Sequence, residues 1–229
     1  MAESTLGLHW HCQTDTLRYK YRPVEKQAPT MRMIYRTLAS QYDPLGYIVP
    51  FTTRAKILIQ QLWDKQRDWD DPHLPANLLQ AWHAWEDELQ HLEKIRLPRC
   101  YVIQQLWDIS VCARDIHVFC DASERAYGSV GYLRTENSHG QVQVAFLAAR
   151  SRVAPKKQLS IPRLKLCAVL TQLARLLGNY LGYLAAEIQE LTDVQAWRYV
   201  PSEDNPADDL TCGRTLLQLS EQTHWNQGP

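Results

Sequence analysis

"HVFCDASERAYGSVGYL", residues 117–133, holds two runs of β-branched and aromatic residues joined by a turn-forming "DASER". That pattern predicts a hairpin, with one carboxylate, Asp121, at the end of its first strand. A carboxylate in that position often holds a metal ion. Its meaning depends on whether the rest of the chain brings further carboxylates to the same place.

Outward from this hairpin the period stays short. "RDIHVFCDAS", "YGSVGYLRT" and "VQVAFLAAR" read as three strands of an antiparallel meander. "SIPRLKLCAVLTQLARLLGNYL" then predicts a long helix with Ser160 as its cap and Pro162 in its first turn. Leu164, Ala168 and Leu177 contribute to its apolar face. A short helix is expected in "AAEIQELTD" and a strand in "AWRYV". The last carboxylates lie in "PSEDNPADDLTCG", and a terminal helix follows.

Upstream, the character is helical. "TLGLHW" and "TLRYKYRP" are strand-like and suit a hairpin or a severed tail. Thr30 is a plausible cap for a helix over 31–41. "YDPLGYIVP" breaks that helix, and a second is predicted over about 52–67. In the third, Leu78, Trp82, Trp85, Leu89 and Leu92 recur at 4-3-4-3 spacing, one helix face wide. Core packing accounts for the Trp82/Trp85 pair better than base stacking does. A domain boundary is expected close to Arg99.

Composition excludes several classes. In 229 residues, 45% hydrophobic and 22% charged is an ordinary globular balance. No apolar run is long enough for a membrane span, and the N-terminus has no secretory pattern, so an intracellular protein is expected. The six cysteines are scattered without a CxxC pair, which suits reduced thiols. A formal net charge of zero argues against strong nonspecific nucleic-acid binding by the whole chain. Charge is nevertheless segregated. Between Asn137 and Ala186 stand Arg150, Arg152, Lys156, Lys157, Arg163, Lys165 and Arg175 with no acid, and acids dominate from Glu187 onward. Either a phosphate-facing patch or mutually solvating faces explains this. No HExxH pattern, Gly-rich phosphate loop or Ser/His/Asp partnership is visible around Ser123 or Ser129.

Three antiparallel strands, a helix, and a strand followed by an acidic turn form the beginning and end of a ribonuclease H-like domain. "YDPLGYIVPFTTRAKILIQQLWDKQRDWDDP", "FCDASERAYG", "IPRLKLCAVL" and "AWRYVPSEDNPADDLTCG" resemble the polyprotein of BEL/Pao-type retrotransposons. The resemblance implies a mixed α+β fold in three parts. Residues 1–30 would be the end of a polymerase palm, 31–99 a helical connection or thumb-like region, and 100–229 a degenerate ribonuclease H-like domain. No polymerase YxDD turn accompanies them.

Ribonuclease H chemistry uses two magnesium ions about 3.5–4 Å apart, held by about four carboxylates from separate elements. The resemblance makes Asp121 the first ligand and Asp208 the last, with neighbouring Asp209 a weaker substitute. The second position is altered: the family pattern "IPRLEL" here reads "IPRLKL", which puts Lys165 where Glu belongs. An ammonium offers no acceptor and repels a cation, so it is expected to pair with Asp121 or Asp208 instead. The third ligand is expected to be missing with its whole central strand. Only residues 180–195 separate the long helix from "AWRYV", and "YLGYL" holds no acid and no room for a strand. These readings point to a non-catalytic remnant of a Pol polyprotein that carries no cofactor, ancestrally magnesium. An RNA–DNA hybrid-binding module using Arg150, Arg152, Lys156, Lys157 and Arg163 is the alternative, and weak residual magnesium-dependent cleavage a third. An incomplete sheet also suggests self-association.

Overall fold

The computed structural model describes residues 2–5, 8–21, 23, 29–63, 68–101, 111–177 and 196–228, with side chains omitted at 2–5, 111–112 and 171–177. The architecture is mixed α+β, with helices and two antiparallel sheets of four and three strands. Two compact units result, Met1–Cys100 with Gly213–Gln222, and Tyr101–Cys212 with Thr223–Pro229. No helix among the described residues is long and apolar enough to cross a membrane.

In the first unit, β1 (Ala2–Thr5), β2 (Leu8–His11) and β3 (Thr16–Arg18) form a meander, which β4 (Arg96–Pro98) completes by pairing Leu97 with Leu17. Helix α1 (Met31–Ala39) starts where the Thr30 hydroxyl accepts the Met33 N–H. Helix α2 runs Val49–Trp63, three residues earlier than its sequence suggested. Pro50 lies in its first turn, where a missing N–H has no helical partner to lose. Ahead of it, the Asp43 carboxylate accepts from the N–H groups of Gly46, Tyr47 and Ile48 and from the Tyr19 hydroxyl. Burial pushes this carboxyl upward, against the downward pull of those four donors.

Helix α3 (Ala76–Glu88) tightens into a 3-10 turn over Leu89–Lys94. All five residues of the predicted stripe, Leu78, Trp82, Trp85, Leu89 and Leu92, are buried. Trp85 stacks on Phe51 at 4.6 Å between ring centroids and on Trp82 at 4.9 Å, while its Nε1 donates to the Phe51 carbonyl. A buried indole is tolerated because that donor is satisfied.

The second unit is built on β5 (Val111–Ala122), β6 (Ala126–Asn137) and β7 (Val142–Val153), an antiparallel meander as expected. Ser123 shapes the first turn: its Oγ accepts from the N–H groups of Arg125 and Ala126. Helix α4 (Ile161–Leu177) covers one face of the sheet. There the Ser129 hydroxyl donates to the Ala168 carbonyl, and Ala122, Ala154 and Leu164 form a small apolar cluster. The opposite face receives α5 (Asp208–Cys212) and, after an excursion into α6 (Leu216–Ser220) of the first unit, α7 (His224–Gln227). Gly128 lets α5 approach: a Cβ there would stand 2.7 Å from the Arg150 carbonyl and 3.0 Å from Leu210. At α7, the Tyr132 hydroxyl donates to the Trp225 carbonyl, and Trp225 is fully buried.

One expected strand does not form. Residues 197–200 carry no ladder among the described residues, and Trp197 and Tyr199 are 48% and 88% exposed. Aromatic and β-branched residues favour a strand only where a neighbouring strand offers a ladder and a surface to pack on. The short helix expected in "AAEIQELTD", and the deletion inferred around 180–186, lie outside the described residues.

Candidate functional site

The open end of the β5–β6 hairpin gathers the candidate residues. Asp121, opposite Gly128, is 9% exposed, and its two carboxylate oxygens have different partners. Oδ2 accepts a hydrogen bond of 2.8 Å from the Thr211 hydroxyl, which is itself buried. Oδ1 faces the Lys165 ammonium at 3.5 Å. Lys165 reaches it from the first turns of α4, one residue beyond buried Leu164, with half of its side chain exposed. Of the two pairings open to Lys165 from sequence, the structure forms the one to Asp121.

Asp208 opens α5 through a tight approach. The Asn205 side-chain carbonyl accepts the Ala207 N–H, and the Asn205 main-chain carbonyl accepts the Asp208 N–H. Thr211, one turn on, lies 3.1 Å from the Asp208 carbonyl as well as 2.8 Å from Asp121, so one hydroxyl ties α5 to the β5 terminus. The Asp208 carboxylate accepts from the Cys212 thiol. Burial, and then this negatively charged acceptor, push that thiol upward. Asp209, the weaker substitute, points elsewhere: it is 2% exposed and its Oδ2 stands 3.4 Å from His224 Nε2. Beside Asp121, burial and the adjacent carboxylate push the Cys120 thiol up to about 12.

Magnesium asks for near-octahedral oxygen donors at about 2.0–2.1 Å. The described residues do not fit that demand. One Asp121 oxygen is engaged by a hydroxyl and the other faces a cation, and no group of three or more His, Cys, Asp or Glu side chains gathers among the described residues. What this arrangement can do is neutralise charge. A half-exposed ion pair adds about 0–1 kcal/mol to stability, but it places the cation inside the carboxylate site itself.

Arg150 and Arg152 on β7, Lys156 and Lys157 in the following loop, and Arg163 in the first turn of α4 are all exposed. Register assigns the two arginines to the α4 side of the sheet, because Arg150 lies opposite Ser129, whose hydroxyl bonds α4. Sequence reasoning missed Thr211 and His224. The spacing Asp208–Thr211 hints at one helical turn, but nothing local announces a partner for Asp121 ninety residues away or for Asp209 beyond the excursion.

A family model described as a Pao retrotransposon-like RNaseH-like domain matches residues 30–198. The match takes in α1 to α4, with Asp121 and Lys165, and stops before Asp208. No curated protein and no solved structure matches the chain.

Proposed function

Because the chain belongs to the family of Pao retrotransposon-like RNaseH-like domains, we propose that it is a retrotransposon-derived domain that does not cleave RNA. The observation that carries the reading is the Lys165 ammonium, 3.5 Å from Asp121 Oδ1. A fixed positive charge there replaces the cation that a two-metal hydrolase would recruit. Thr211 holds the second carboxylate oxygen, so Asp121 serves as a structural acceptor rather than a ligand. In the same reading, residues 31–99 descend from a reverse transcriptase connection region and residues 1–30 from the end of its palm.

The test is incubation of the purified chain with a labelled RNA–DNA hybrid in millimolar magnesium or manganese. No cleavage is expected. Cleavage that disappears in Asp121→Asn overturns the proposal and restores a residual ribonuclease.

A second reading rests on the exposure of Arg150, Arg152, Lys156, Lys157 and Arg163 within one short stretch of chain. Five exposed cations, two of them on the α4 side of the sheet, suit phosphate contacts, giving hybrid binding without cleavage. Such affinity falls steeply with added salt, and the slope decreases when Arg150 and Arg152 are replaced by alanine. Binding that is indifferent to salt removes this reading.

A further inference from the structure

The Asn205 side-chain amide donates to the Cys120 carbonyl at 3.2 Å. That carbonyl therefore points away from β6. In an antiparallel strand, alternate residues turn both N–H and C=O to the same side. The register between β5 and β6 is continuous from Ala113 to Ala122, so the parity of Cys120 carries upstream. Arg114, Ile116 and Val118 thus direct their backbone groups away from β6, on the side where no strand lies among the described residues. Nothing among the described residues pairs with them.

Side chains along this edge agree with the backbone. Residues 113–117 are exposed on both faces of the strand, and Ile116 is 58% exposed. Edges are commonly protected by charged side chains, a proline or a bulge. Between Ala113 and Phe119 there is no proline and no bulge, and the charges, Arg114 and Asp115, are of opposite sign.

We propose that this edge pairs with itself: β5 of one copy adds antiparallel to β5 of a second, about a two-fold axis at Ile116. Charge and parity select the axis. Outward residues must oppose outward residues, so the axis passes through a residue. At Asp115 it sets the two aspartates against each other, and at Arg114 the two arginines. At His117 it brings Arg114 against Cys120, whose carbonyl is already taken by Asn205. At Ile116 it sets Asp115 opposite His117 twice, Arg114 opposite Val118 twice, and Ile116 against its own copy. The Asp115–His117 pairs fall at non-hydrogen-bonded positions, where side chains approach most closely. Asp115 also lies 3.7 Å from Arg134 on β6, so each carboxylate would bridge a guanidinium and the partner's imidazole. The occupant is a second copy of this chain, and the contact leaves the Asp121 site uncovered.

Sedimentation velocity over roughly 1 μM to 1 mM, a range that spans weak association, should show a monomer–dimer equilibrium. Ile116→Pro removes one outward N–H and no bond to β6, a substitution that edge strands accept. It should weaken dimerisation about tenfold or more. His117→Asp sets carboxylate against carboxylate and should weaken it to a similar degree, with circular dichroism and melting unchanged. Should Ile116→Pro disturb the fold, His117→Asp at its exposed position decides alone. A chain that stays monomeric over the whole range overturns the proposal, and so does a dimer indifferent to His117→Asp.

Discussion

Thr211 donates its hydroxyl to Asp121 Oδ2 at 2.8 Å, joining α5 to the end of β5 across ninety residues. Lys165 occupies the other oxygen from the opposite side of the sheet end. Between them, a carboxylate with 9% exposure keeps both oxygens engaged. Thr211→Val removes the donor while conserving shape. It is expected to cost about 1–3 kcal/mol, the range for a buried acceptor left short of a partner. Thr211→Ser should retain most of that stability. Urea denaturation measures both, and equal midpoints for Thr211→Val and the parent chain would show that the bond has no structural weight.

Lys165→Glu places a second carboxylate beside Asp121 where an ammonium now stands. Like charges at that distance repel, so the variant should melt below the parent chain at neutral pH and low salt. Millimolar magnesium should raise its melting temperature while leaving the parent's unchanged, because the variant sets a carboxylate beside Asp121 where the parent chain holds an ammonium. A parent chain stabilised by magnesium to the same extent contradicts the account of Lys165 as an internal counter-ion.

Burial, and then the adjacent Asp121 carboxylate, raises the folded pKa of Cys120 from 9.0 to about 12, so the unfolded chain releases this proton first. The contribution is intact below pH 9 and is lost as pH rises from 9 toward 12. The parent chain should therefore lose stability faster over that window than Cys120→Ala does. At pH 8, a maleimide should label exposed Cys12 in the native state well before half-buried Cys120. Equal native labelling rates at the two thiols would contradict the shielding of Cys120.

Trp85 is fully buried between Phe51 and Trp82 and donates to the Phe51 carbonyl. Trp85→Ala should cost about 3–5 kcal/mol, from lost burial and the cavity it leaves. Trp85→Phe keeps the stacking and loses only the donor, so its cost should be the smaller. A reversed order in urea melts would mean that the hydrogen bond outweighs the packing.

Much of this was legible in the order of residues. The 4-3-4-3 stripe ending at Leu92, the Thr30 cap, the meander from β5 to β7 and the long helix α4 all rest on near-neighbour periodicity, which survives in any compact context. Asp121 at a strand end and Lys165 in the first turns of α4 follow from the same reading, whereas the expectation that Lys165 would pair with Asp121 or Asp208 came from the resemblance, and the first of these pairs forms. Other features needed the folded chain. "AWRYV" has the composition of a strand, yet Tyr199 stands in solvent, because pairing depends on a neighbour and not on propensity. Residues Gly213–Gln222 join the first unit although they follow α5 directly. Consecutive aspartates part ways, Asp208 toward Cys212 and Asp209 toward His224. Local pattern was enough for the meander, the Thr30-capped helix and α4, and for the charges they carry. Which of those charges share a site was settled in the folded chain, because partners ninety residues apart meet through packing that no local pattern encodes.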